Sequence, residues 1–207
     1  MNEHSFIFDL NMRVRDEYKE AAIREKAMEM IVVEGFDGLS MQKLAKAAGV
    51  SPATIYIYFK NREALLNSLY NDVNQTFAKV ALEHFDAKAS LEDGLWRQWK
   101  NRMKFISDYP HHYKFYEQFR NSPLINHRDI KDSGFKESMK SLVVNAILRG
   151  EMEKMEPETF WAVAYGGFYS LLNFHLQGKS MMNPQYEVTD EKMKRLLRLV
   201  LKALKPA

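Results

Sequence analysis

The stretch GFDGLSMQKLAKAAGVSPATIYIYFKNREALL, residues 35–66, decides how the chain is read. Ser40 stands where a helix N-cap is wanted, and Met41, Leu44, Ala45 and Ala48 follow at i, i+3, i+4 and i+7, so a short helix is expected, ending at Gly49. Ser51 offers a second N-cap, with Pro52 at the first helical position, where a missing N–H costs nothing. Ile55 and Phe59 suffice to anchor this second short helix inward, which leaves Ala53, Thr54, Ile57 and Tyr58 facing elsewhere. Asn61 is placed to cap a longer helix with the stripe Leu66, Leu69, Tyr70, Val73, Phe77 and Val80. About 24 residues of it would span roughly 36 Å. A short helix, a turn of about four residues containing glycine and another short helix is the spacing of a helix-turn-helix, although plain helical hairpins share it.

Working outward, Arg13 to Glu34 reads as a helix with Ile23, Ala27, Met30 and Ile31 on one stripe and Gly35 as the stop. Phe6, Ile7, Phe8 and Leu10 make residues 1–12 too apolar for a free tail, so this arm either packs on the body or extends the helix. Downstream, Ser90 with Asp93 three residues on opens a helix to about Asp108; Pro110 opens another to about Arg120, closed by Asn121-Ser122-Pro123. A helix from about Asp129 to Arg149 stops at Gly150, Pro157 opens one to about Gln177, and Thr189 caps a last one ending near Leu204. No run of Val, Ile and Thr alternates strictly, so the expected fold is all-α, with about nine helices.

With 207 residues, 46% of them hydrophobic and 28% charged, and only 9 Gly and 6 Pro, the chain has the composition of a globular protein of one medium domain or a small domain fused to a larger one. The absence of cysteine excludes disulfides, thiolate metal sites and a cysteine nucleophile. No segment approaches the ~20 apolar residues of a membrane span, and Glu3 and Asp9 argue against a signal peptide, so a cytoplasmic protein without a membrane partner is expected. The net charge of +3 says less than its distribution. Lys43, Lys46, Lys60 and Arg62 lie between Ser40 and Arg62 with no acid among them, while Glu17, Glu20, Glu25, Glu29, Glu34 and Asp37 crowd the segment before. A local basic face is what phosphate contact requires.

An enzyme is not expected. His111 and His112 are adjacent, so a helix would point them about 100° apart, and no His-x-x-x-His or Glu-x-x-His pair sets metal ligands on one face. A glycine-rich phosphate loop and a Gly-x-Ser-x-Gly elbow are both lacking. Neither a metal nor a cofactor is called for.

Residues 35–66, with the helix before them, closely resemble the N-terminal module of TetR-family regulators over about 45 residues, while the rest resembles that family only in helical layout and length. The resemblance implies a homodimeric repressor, less often an activator, whose C-terminal domain binds a small effector and releases palindromic operator DNA. Residues 1–62 would be the DNA-binding domain and 63–207 the effector-binding and dimerisation domain. Ala53 and the methyl of Thr54 suit a thymine methyl, and Gln42 suits adenine, a position from which the family also contacts a base. For Ser40, Tyr56, Tyr58, Lys60 and Arg62 the resemblance implies phosphate contacts. Four of these have a second reading: Ser40 as a cap alone, Tyr56 as a packed core ring, Lys60 and Arg62 as solvated charges, although a helix dipole opposes a cation near a helix start.

The last helix carries Met193, Leu196, Leu197, Val200, Leu201 and Leu204 on one face, and the helix before it offers Phe160, Val163, Ala164, Gly167, Phe168, Leu171 and Leu172. Either these faces pair with a twofold mate as a four-helix bundle, or they are spent on the chain's own core. Gly166-Gly167 in mid-helix costs about 1 kcal/mol per residue relative to Ala, which a close approach by a partner helix or a ligand would explain. Trp96, Trp99, Phe105, Tyr109, His112, Tyr113, Tyr116 and Phe119 would line a pocket for a flat, largely apolar effector, or form core. A helical DNA-architectural or adaptor protein that senses no ligand is the alternative to a sensor.

Overall fold

The computed structural model describes residues 3–120, 131 and 133–206, and among these every regular element is an α-helix. The order is α1 (Glu3–Gly38), α2 (Met41–Ala47), α3 (Pro52–Tyr58), α4 (Arg62–Ala81), α5 (Leu91–Asp108), α6 (Pro110–Arg120), α7 (Phe135–Leu148), α8 (Pro157–Gln177) and α9 (Asp190–Leu204). No helix among the described residues is long and apolar enough to cross a membrane.

The first N–H groups of a helix have no acceptor within it, and short polar side chains supply one. Ser40 Oγ accepts from Lys43 N–H at 3.1 Å and Ser51 Oγ from Thr54 N–H at 3.1 Å. Asn61 Oδ1 accepts from Ala64 N–H at 2.8 Å, and Thr189 Oγ1 from Lys192 N–H at 3.3 Å. Ser90 and Asp93 pair as expected, the serine Oγ accepting from Asp93 N–H at 3.0 Å and donating to Asp93 Oδ2 at 2.7 Å.

Two boundaries differ from expectation, and one that the sequence leaves open is decided. The backbone from residue 3 onward continues α1, so the apolar arm extends the first helix. Gly35 leaves helical geometry at φ 73, ψ −177, but a further turn runs on to Gly38, so the expected stop is a break. Helix α7 begins at Phe135 rather than near Asp129, because Gly134 before it takes a left-handed φ of 70 and has no side chain to cap with. The expected closure at Asn121-Ser122-Pro123 lies outside the described residues.

By packing, the described residues fall into two compact units: 3–77 with 105–131, and 78–104 with 133–206. The buried residues of the first include Ile23, Ala27 and Ile31 of α1, Leu44 of α2, Ile55 and Phe59 of α3, and Leu65, Leu66, Leu69 and Val73 of α4. Helix α6 closes this core with Phe115 and Phe119, against which the Phe36 ring packs edge-on at 6.4 and 5.6 Å. In the second unit Trp99 of α5 stacks on Phe168 of α8 at 5.2 Å and donates its indole N–H to Ala164 O at 3.2 Å. Gln98 and Asn101 are buried here and donate to Ala81 O at 2.7 and 2.9 Å, satisfying a carbonyl at the end of α4.

Candidate nucleic-acid interface

The turn before α3 is built by backbone hydrogen bonds. Val50 N–H donates to Ala45 O at 3.0 Å and Gly49 N–H to Lys46 O at 3.3 Å, a Schellman closure that needs the left-handed φ of 67 at Gly49. Ser51 and Pro52 then start α3, and Ile55 and Phe59 fasten it inward. The Phe59 ring lies beneath the guanidinium of Arg24 at 5.1 Å, and the same guanidinium donates to Glu20 Oε1 at 2.6 Å, to Ser68 Oγ at 2.7 Å and to the Asp72 carboxylate. One side chain of α1 thus ties α3 to α4. Sequence reasoning missed it: the Glu20–Arg24 spacing is visible, but nothing local points to partners 44 and 48 residues away.

With its inner face anchored, α3 presents the other. Ala53 is exposed, Tyr56 is 53% exposed and Ile57 78%, which removes the reading of Tyr56 as a core ring. Thr54 is half-buried, and its hydroxyl is engaged with Ser51 Oγ at 2.9 Å. Gln42 and Ser40 are exposed at α2, and Lys60 just beyond α3; Tyr58 is half-buried, its ring tilted against Phe59 at 6.4 Å. Lys43 pairs with Glu34 at 3.5 Å, and Lys46 is exposed.

Arg62 corrects the expectation of a phosphate contact. Its Nη2 donates to Phe36 O and its Nε is buried, so the guanidinium is turned into the module. A cation that fills a carbonyl near the end of α1 answers an orphan acceptor there.

The aromatic candidates do not gather in one unit. Trp96 and Trp99 belong to the second unit; Phe105, Tyr109, His112, Tyr113, Tyr116 and Phe119 belong to the first. Trp99, Phe105 and Phe119 are buried rings packed on other rings, and Trp96 is half-buried beneath Lys100 and Lys194 at 5.8 and 5.4 Å. Tyr109, His112, Tyr113 and Tyr116 are half-buried. Burial pushes the Tyr165 phenol up to about 12, despite the Arg102 guanidinium beside it.

The dimer candidates divide. Phe160, Phe168, Met193, Leu197, Val200 and Leu204 are buried within this chain, where α8 packs on α9, so the face expected to meet a partner is in large part the chain's own core. Val163, Gly167, Leu171, Leu196 and Leu201 remain part-exposed. Gly167 is explained by that packing, since a Cβ there would lie 3.0 Å from Leu196 Cδ1. Leu199, 62% exposed beside this seam, was missed because it falls off the main apolar stripe.

An all-helical chain with a short helix fastened on its inner face and bare on its outer one is a helix-turn-helix protein. Residues 23–69 match the family model described as bacterial regulatory proteins, tetR family. A helix-turn-helix transcriptional regulator from Haemophilus influenzae is 35% identical over 97 residues, 47% of this chain and 51% of that protein. The fatty acid metabolism regulator protein of Bacillus subtilis is 36% identical over 77 residues, 37% of this chain and 40% of that one. These matches thus span about half, or less, of the curated relatives' length. The crystal structure of a TetR family transcription regulator from Marinobacter aquaeolei superposes with a TM-score of 0.76 at 26% identity, covering 94% of this chain and 100% of that one.

Proposed function

We propose that the chain is a DNA-binding transcriptional regulator, a homodimeric repressor that leaves a palindromic operator when a small, largely apolar or aromatic effector binds. Residues 1–62 bind DNA, and 63–207 take the effector and dimerise. The observation that carries this reading is the front of α3, where Ala53, Tyr56 and Ile57 stand exposed on a helix whose opposite side is fixed by Ile55 and Phe59. A bare, rigidly backed helix of this kind suits the major groove, with small and methyl-bearing residues at base edges and hydroxyls and lysines at phosphates.

Division of labour within the module gives the test. Fluorescence anisotropy on labelled duplexes, including a palindromic fragment from near the chain's own gene, reads affinity against sequence and salt. Tyr56→Phe weakens binding alike on all duplexes, because it removes a phosphate contact. Thr54→Ser, which removes the methyl, and Gln42→Ala change the preference at defined base pairs by about 1–3 kcal/mol each. Should both kinds of variant act alike on every sequence, the roles assigned here are wrong.

A further inference from the structure

Within the first unit a groove of about 490 Å³ opens between α1, α4 and the junction of α5 with α6. That volume is in the range of small-molecule sites. Its apolar surface comes from Met28, Leu69 and Pro110, joined by the rings of Tyr109 and His112, which meet edge-on at 5.4 Å. Four carboxylates stand around it, Glu25 and Glu29 of α1, Asp72 of α4 and Asp108 of α5, of which Asp72 shares the Arg24 guanidinium with Glu20 and Glu29 is paired with Lys26 at 2.7 Å, so two cations answer four acids and the lining stays net acidic. Burial, then the neighbouring His111, holds His112 below its ordinary range, with Asp72 opposing, so this imidazole is neutral at pH 7 and offsets none of that charge.

We propose that this groove binds a small organic cation, with the ammonium head among the carboxylates and an apolar body against Tyr109 and Met28. Aromatic faces favour a cation as well as an apolar body, so both halves of such a ligand find a partner. A neutral ligand of the same shape gains only the apolar contacts, and an anion meets repulsion. The inference deepens the reading of the chain as a ligand-responsive regulator by naming a ligand class. It rests on that reading only for any effect on DNA, since α1 walls the groove and also supports α2 and α3.

The test uses the full chain, without DNA, labelled with carbon-13 at its methionine methyls, the Met28 signal being assigned by its loss in Met28→Leu. Three probes share one body: 4-phenylbutylamine, 4-phenylbutanol and 4-phenylbutyrate. The amine moves the Met28 signal with a dissociation constant about tenfold below that of the alcohol, and the carboxylate leaves it still. Glu25→Gln weakens the amine about threefold and Glu25→Lys more, while neither alters the alcohol; both changes sit at an exposed helix position. An alcohol that binds as tightly as the amine, or a Met28 signal unmoved by all three probes, overturns the proposal. Because no DNA is present, such a failure leaves the DNA-binding reading standing, and the converse also holds.

Discussion

Lys60 and Arg62 lie two residues apart and carry the same charge, yet they serve different ends. Lys60 is exposed beyond α3, whereas Arg62 reaches back to Phe36 O. Lys60→Ala therefore lowers the slope of log affinity against log salt by about one and leaves thermal stability unchanged, as expected for one lost phosphate contact. Arg62→Ala leaves that slope alone and costs about 1–2 kcal/mol of stability, read by thermal denaturation, because it strips a hydrogen bond from a part-buried carbonyl. Sequence separated these two poorly. What it showed well were features whose partners lie within four residues: the serine caps, Pro52 at the start of α3, Gly49 in its turn. Arg62 and Phe36 are 26 residues apart, and no local pattern links them.

At the scale of helices the same locality holds. An amphipathic stripe announces that a face is buried but not what buries it. The stripe of α9 is buried as read, with Met193, Leu197, Val200 and Leu204 inside, but its cover is α8 of the same chain. The residues before α7 admit a helical reading in sequence, and only the left-handed Gly134 marks its start. Close approaches between helices were not legible either. Gly94 of α5 sits where a Cβ would lie 2.6 Å from Leu142 Cδ1 of α7, and Leu142 is fully buried. Gly94→Ala should accordingly lower stability by about 1–2 kcal/mol despite its better helix propensity. Leu142→Ala in the same chain should relieve part of that penalty, so a double-mutant cycle in denaturant should show favourable coupling. Additive effects would mean that the two helices do not meet as described.

For the whole molecule, reading an operator with two symmetric halves needs two copies of α3 at a spacing of one DNA turn or a multiple of it, ~34 Å or more. The surface proposed for pairing is the part-exposed remainder of α8 and α9, Val163, Gly167, Leu171, Leu196 and Leu201, with the exposed Leu199 at its edge. Leu199→Glu places a charge there that a dimer must desolvate, and should raise the dimer dissociation constant at least about tenfold by sedimentation. Loss of dimer should carry loss of operator affinity with it, while the monomer's melting temperature stays put because Leu199 packs on little within its own chain.

The central claim is that the front of α3 reads duplex sequence. Selection of the full chain on a random duplex pool, followed by sequencing, tests it most directly. The account predicts an enriched inverted repeat whose half-site centres lie one helical turn or a multiple apart, with the bases at defined positions altered when the selection is repeated with Thr54→Ser. A pool that emerges with no motif, or the same motif from both proteins with every position unchanged, would contradict it.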